Sequence, residues 1–171
     1  IPGRSPFVCF YARDLDYLDG ISPDRPRRDQ DYRNASIHDC VPAAEELVRR
    51  GYFVIRMGAV VNEALRTTNP MIIDYAIKAR TDFMDIFLCA KCRFFLGSTG
   101  GINTVPRIFR RPIVIVNGVP LGAHHLSRVT PRNLMIPKKL WLRHERRFMT
   151  FHEIVESGAD MFYQGEQYEK L

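Results

Sequence analysis

Phe94-Phe95-Leu96-Gly97-Ser98-Thr99-Gly100-Gly101-Ile102-Asn103 is the stretch on which the reading of this chain turns. An apolar, β-prone run ends in a turn of small residues and leads into a predicted helix. A second apolar run, Pro112-Ile113-Val114-Ile115-Val116-Asn117, follows about one short helix later. Strand, glycine turn, helix and strand make a βαβ unit, with the turn where open α/β sheets bind their ligands. A turn of this kind leaves backbone N–H groups uncovered for a phosphate, and Ser98 and Thr99 add hydroxyl donors. Three glycines and two hydroxyls between Gly97 and Gly101 exceed what a tight turn alone requires. Gly97, Ser98, Thr99, Gly100, Gly101 and Asn103 are therefore candidate phosphate-binding residues. The stretch lacks both the P-loop lysine and the spacing of a dinucleotide-binding GxGxxG, so it points to neither ATP hydrolysis nor NAD binding.

Outward from this unit the same alternation of strand and helix continues. Phe7-Val8-Cys9-Phe10-Tyr11 has the continuous apolar character of a buried parallel strand. Arg13 to Arg33 is polar, broken at Gly20, Pro23 and Pro26, and reads as a long loop of the kind that is usually functional. It holds five arginines against six aspartates, so any ligand contact would come from individual arginines rather than from net charge. Pro42 to Arg50 predicts a helix stopped by Gly51, and Tyr52 to Ile55 a second strand. Met71-Ile72-Ile73 is a short apolar step. Thr81 then caps a helix with an apolar stripe at Phe83, Met84, Phe87, Leu88 and Ala90. Cys92 to Leu96, Ile113 to Val116 and Asn133 to Ile136 supply further strands, and Thr150-Phe151-His152-Glu153 is a capping box opening a last helix closed by Gly158. The expected fold is α/β: one Rossmann-like three-layer domain over residues 1–171 with a mostly parallel sheet.

The length of 171 residues suits one such domain, and 46% hydrophobic with 26% charged residues argues against disorder. No apolar run approaches the roughly 20 residues that span a bilayer, and the first residues do not form a secretion signal. A cytoplasmic location is the expectation. The chain opens at Ile1-Pro2-Gly3-Arg4 without an initiator Met and reaches a strand by Phe7, which suggests a piece of a longer protein. Cys9, Cys40, Cys89 and Cys92 sit in apolar contexts and read as buried thiols, the lone Cys89-Ala90-Lys91-Cys92 pair included. Asp82 and Asp85, three residues apart, read as acids favoured at a helix N-terminus. Adjacent His124 and His125 would point opposite ways on an extended chain, so no metal site is expected.

Arg13 leaves the first predicted strand at its carboxyl end, on the edge of the sheet that carries the glycine turn. A guanidinium there can hold a diphosphate through two parallel hydrogen bonds. Asp14 can orient Arg13 or act as an acid or base. Arg56, at the end of the second strand, is a weaker candidate of the same kind as Arg13. The charge excess lies elsewhere: Arg128, Arg132, Lys138, Lys139, Arg143, Arg146 and Arg147 against Glu145 alone amount to the whole net charge of +6. With Leu140, Trp141 and Leu142 interleaved, residues 128–147 suit peripheral contact with an anionic membrane surface. A solvated face explains the charge equally well, and no nucleic-acid-reading motif accompanies it.

Several short motifs together resemble a family. They are Phe7-Val8-Cys9-Phe10 running into Tyr11-Ala12-Arg13-Asp14, then Asp31-Tyr32-Arg33-Asn34, Val54-Ile55-Arg56-Met57-Gly58, Asp74-Tyr75-Ala76, Phe94 to Gly101, and Met149-Thr150-Phe151-His152-Glu153-Ile154. They resemble a group of bacterial glycosyltransferases, itself similar to the donor-binding, C-terminal half of the two-domain GT-B architecture. More distantly, the first strand with its arginine and the later Ser-Thr turn resemble fucosyltransferases that use a guanosine-diphosphate sugar. That resemblance implies that Arg13 holds the diphosphate and that Ser98 and Thr99 assist. Tyr11 stands where those enzymes usually have histidine. The implied activity is metal-independent transfer of a sugar from a nucleotide-diphosphate sugar to an acceptor hydroxyl, with no cofactor. A sugar-nucleotide epimerase or hydrolase half-domain, or a noncatalytic nucleotide-binding or interaction module, would use the same framework.

Overall fold

A computed structural model describes residues 1–3, 5–13, 27–61, 63–122 and 132–171. Its centre is a sheet of six parallel strands: β1 (Phe7–Tyr11), β2 (Phe53–Arg56), β3 (Ile72–Ile73), β4 (Phe95–Gly97), β5 (Ile113–Gly118) and β6 (Leu134–Pro137). Their spatial order is β3-β2-β1-β4-β5-β6. The chain moves outward from β1 to β3, then crosses back to β4 on the other side of β1. The strand order therefore reverses between β1 and β4, the place where a crevice opens at the carboxyl edge of such a sheet.

Both faces of the central strands β1, β2, β4 and β5 are covered, which is why they read as continuous apolar runs, whereas the edge strand β6 exposes Leu134 and Ile136. Val8, Phe10, Val54 and Leu96 point to one face, where they meet Ala44 of helix α1 (Val41–Arg49). Cys9, Ile55, Phe95, Ile113 and Ile115 point to the other, against Leu88 and Cys89 of α3 (Asp82–Lys91). The short α2 (Tyr75–Lys78) and α4 (Thr104–Ile108) flank α3 in the chain. Val8, Cys9 and Phe10 are wholly buried, and each large apolar side chain so placed contributes about 1.5–3 kcal/mol. The result is the three-layer α/β arrangement expected from the sequence.

Local signals place the helix ends. Pro42 occupies the first turn of α1, and Gly51 follows it with φ of 85°, a left-handed value that glycine adopts without strain. Thr81 Oγ1 accepts from the Met84 N–H at 3.2 Å. At α5 (Phe151–Glu156) the capping box is complete, with Glu153 and Thr150 bonded reciprocally, and Gly158 ends the segment in the left-handed region. The residues after β6 form a smaller cluster around Leu140, Ile154 and Ala159, and between Leu140 and Met149 of that cluster the chain makes an antiparallel pair, β7 (Trp141–Leu142) and β8 (Arg147–Phe148). A final helix, α6 (Gly165–Glu169), completes it.

Three expectations change. Phe83 and Phe87, read as part of the apolar stripe of α3, are exposed, while Met84 and Leu88 of the same stripe pack on the sheet. The end of the predicted long loop, Arg27–Arg33, is a 3-10 helix. Contacts distant in sequence hold it: the Tyr32 ring stacks on Tyr168 at 4.5 Å, and Tyr32 Oη donates to the Tyr163 carbonyl at 3.0 Å. Leu140, read as one of the apolar residues available to a surface, is buried in the cluster with Ile154 and Ala159. Among the described residues no helix is long and apolar enough to cross a membrane.

Candidate functional site

The turn after β4 and the segment after β1 meet at the switch point. Tyr11 pairs with Gly97 across the two strands, and the Ser98 N–H continues the ladder to the Tyr11 carbonyl at 3.1 Å. The Arg13 N–H then donates to Ser98 Oγ at 2.7 Å, joining residues 85 apart in sequence. The Arg13 carbonyl accepts from the Ala35 N–H at 3.0 Å, so the main chain of Arg13 is held on both sides. Gly97 is required by close approach: a Cβ there would lie 3.0 Å from the Tyr11 carbonyl. Gly100 is required by the Tyr11 ring, which a Cβ would meet at 2.7 Å.

Within the turn, several of the candidate donors serve the protein itself. Ser98, Thr99 and Asn103 are buried. Ser98 Oγ takes the Arg13 N–H, Thr99 Oγ1 donates to the Val119 carbonyl at 3.4 Å, and Asn103 Nδ2 donates to the Ser98 carbonyl at 2.9 Å. These bonds fix the shape of the turn and leave Gly100 and Gly101 as its open edge; a Cβ on Gly101 would meet nothing within 4 Å.

Two cavities meet at Gly100. The larger, about 440 Å³, lies on the α3 side and is lined by Arg13, Tyr11, the Gly58–Val60 segment after β2, Asp82 and Asp85, and Gly100 to Ile102. The smaller, about 330 Å³, is lined by Tyr32, Arg33, Thr99, Asn103, Arg107 and Tyr163 among others. Asn103 is 5% exposed, yet its Oδ1 has no hydrogen-bond partner, and the same holds for the buried Nε atoms of Arg33 and Arg107. Buried polar atoms are normally satisfied; these three belong to residues that line the smaller cavity, and four others, on Asn34, His38, Arg56 and Arg80, belong to residues that do not.

The electrostatics favour an anion. Burial, and after it the neighbouring Arg33 charge, pulls the Arg13 guanidinium below the usual arginine range. Lys138, brought in at the end of β6, donates to the carbonyls of Tyr32 and Asn34 at 2.9 Å each, and burial lowers it too. Cations are thus held close together on half-buried ground.

The fold has a counterpart among solved glycosyltransferases. The structure of E. coli ADP-heptose LPS heptosyltransferase II superposes on 99% of this chain with a TM-score of 0.55 at 16% identity. This chain spans 49% of that one, about half its length. At that identity the likeness concerns the fold: an α/β, Rossmann-like architecture of the kind found in GT-B glycosyltransferases. No family model matches the sequence, and a search of curated proteins finds no match.

Within this shared architecture Arg56 differs from Arg13. Its side chain is 2% exposed and lies outside both cavities. Its Nη1 donates to Asp74 Oδ2 at 3.2 Å and to the Glu63 carbonyl at 2.6 Å, while the Leu65 N–H donates to the same Asp74 oxygen at 2.7 Å. Buried in this way, with its Nε unpartnered, the guanidinium ties the segment after β2 to the start of α2 and is out of reach of a diphosphate in either cavity. That corrects the expectation drawn from its position at a strand end. Asp14, His124 and His125 lie outside the described residues, as does Arg128.

Sequence reasoning passed over Asp82 and Asp85 as helix-start acids. Both do sit in the first turn of α3 and both bind Arg80, at 2.7 and 3.0 Å. Asp85 also takes the Tyr75 hydroxyl at 2.9 Å. The same two carboxylates line the larger cavity together with Arg13 and with the Arg80 that pairs with them, so charges of both signs reach its wall. Their spacing was the signal available in the sequence. Arg107 carried no such signal, and Arg33 stood only among the loop arginines and in the Asp31-Tyr32-Arg33-Asn34 motif. Among the described residues no group of three or more His, Cys, Asp or Glu is arranged to hold a metal ion.

Proposed function

We propose that this chain is the donor-binding part of a glycosyltransferase that moves a sugar from a nucleotide-diphosphate sugar to an acceptor hydroxyl. The observation that carries the proposal is the joining of Arg13 to the Gly97–Gly101 turn at the switch point, beside a cavity of about 440 Å³. The diphosphate lies over the open edge at Gly100 and Gly101, where it takes backbone N–H groups and the Arg13 guanidinium, with Arg33 on the far side. The cavities on either side of Gly100 give the two ends of the donor separate compartments.

In the reaction the acceptor oxygen attacks the anomeric carbon, the bond from that carbon to the diphosphate oxygen breaks, and the acceptor proton passes to a base. Negative charge grows on the departing diphosphate, and Arg13 and the backbone amides already face it, so little reorganisation is needed. Arginine in this position does what a divalent cation does elsewhere, and the proposal is of a metal-independent transfer. Asp82 and Asp85, which line the same cavity and are oriented by Arg80, are suited to accepting hydrogen bonds from sugar hydroxyls. The acceptor and the base belong to a second face opposite the sheet edge.

Calorimetric titration with a panel of nucleoside diphosphates, with and without EDTA, tests this reading. The expected result is saturable binding of at least one of them, unchanged by EDTA. Failure of the whole panel to bind would overturn the donor-site assignment, and binding abolished by EDTA would overturn its metal independence.

A further inference from the structure

The β7–β8 pair is two-faced. Side chains alternate across a strand, and Leu140, Leu142, Arg147 and Met149 share one side. Leu140 and Met149 pack into the cluster with Ile154, while Arg147 binds Glu153 of α5 and Glu145. The opposite parity puts Trp141 and Phe148 outward, and Lys139 before the first strand and Arg143 and Arg146 in the turn between the two are exposed beside them. Trp141 and Phe148 are cross-strand partners with ring centroids 5.0 Å apart, edge to face, and are 46% and 50% exposed. The Lys139 ammonium stands 5.1 Å over the Phe148 ring.

Lys139, Arg143 and Arg146 are exposed and have no acidic partner among the described residues. Glu145, the single acid of the turn, is bound to Arg147, which Glu153 shares. The outward side of the pair therefore carries aromatic rings and unpaired cations with no acid among them. Rings that sit at a headgroup boundary, ringed by basic side chains, are the composition that binds an anionic lipid surface. A base-stacking platform is a poorer fit, since the two rings already cover each other edge to face and Lys139 covers the Phe148 face.

We propose that the outward face of the β7–β8 pair docks on an anionic phospholipid surface. Lys138, next in the chain to Lys139, bonds to the carbonyls beside Arg33, so the docking face stands close to the sheet edge that carries the candidate site. A site held there would meet acceptors carried at a membrane. The proposal does not depend on which ligand the cavities take.

Trp141 is the only tryptophan in the chain and reports on this face directly. The experiment is flotation with phosphatidylcholine vesicles, with and without roughly one-third phosphatidylglycerol, while Trp141 emission is followed. The expected result is flotation and a blue shift with anionic vesicles and neither with neutral ones. A Lys139→Gln/Arg143→Gln/Arg146→Gln variant should lose affinity on the order of a hundredfold, about fivefold per cation near such a surface. Its far-UV spectrum and nucleoside diphosphate binding report that it is folded. No flotation, flotation on both vesicle types alike, flotation without a Trp141 shift, or an unaffected triple variant would each overturn the proposal. So would a Trp141 shift produced by an oligonucleotide or a poly-glutamate peptide and not by vesicles.

Discussion

Replacing Arg13 by alanine should weaken nucleoside diphosphate binding without weakening the fold. The main chain of Arg13 holds the site together through its N–H to Ser98 Oγ and its carbonyl to the Ala35 N–H, and both bonds survive removal of the side chain. The guanidinium itself is half-buried and faces Arg33, and both burial and that like charge work against it in the empty protein. Loss of the side chain relieves that opposition, so the unfolding free energy should stay within about 0.5 kcal/mol of the parent or rise. Against a bound diphosphate the same guanidinium makes charge-assisted hydrogen bonds of about 1.5–3 kcal/mol, equivalent to a tenfold to hundredfold loss of affinity on removal. Arg13→Lys keeps the charge but not the planar fork and should fall between. Calorimetry gives the affinities, and urea denaturation the stability. Unchanged affinity in Arg13→Ala would place the diphosphate elsewhere; a loss of several kcal/mol of stability would show the side chain to be a structural strut.

Asp74→Ala should behave in the opposite way, because it strands a 2% exposed Arg56 and the Leu65 N–H. Loss of one partner of a buried pair costs about 3–5 kcal/mol, measurable by urea denaturation, and a cost below about 1 kcal/mol would contradict the role assigned to Arg56. Gly100→Ala should displace the Tyr11 ring, 2.7 Å from the new Cβ, and impair nucleotide binding, whereas Gly101→Ala, with nothing within 4 Å, should leave thermal stability unchanged. Glu153 is held down at about 2, chiefly by its bonds to Arg147 and then to Thr150. Because its folded pKa is depressed, its contribution to stability is present above the ordinary carboxyl value of 4.5 and disappears as pH falls towards about 2. An NMR titration of its carboxyl carbon should therefore find a midpoint far below that ordinary value. Burial pushes Cys40 up to about 11 and Cys89 to about 12, so neither thiol should react with an aromatic disulfide reagent at mildly alkaline pH until denaturant opens the chain.

What could be read from the sequence, and what could not, divides by how far the deciding contact lies along the chain. The strands were legible because burial on both faces leaves a mark on every residue of Val8-Cys9-Phe10. The caps at Thr81 and Thr150 were legible because both partners lie within three residues. Arg13 and Arg56 looked alike because each ends a parallel strand on the same sheet edge. What separates them is Asp74, which reaches Arg56 from 18 residues away and leaves no trace in the neighbourhood of either. The 3-10 helix at Arg27–Arg33 depends on Tyr163 and Tyr168, more than 130 residues on for the Tyr32 bond, and its own composition reads only as loop. The β7–β8 pair is too short for strand periodicity to register, and its two-faced character emerges only once Leu140 is known to be buried. The meeting of Arg13 with the Gly97–Gly101 turn is the instructive case, since 85 residues separate its members and it was nonetheless foreseeable. Helical crossovers force strands to run parallel, and parallel strands bring every strand-end loop to one edge. Chain direction alone thus carries long-range information about a site at that edge, whereas the identity of a buried ion-pair partner has no comparable rule behind it.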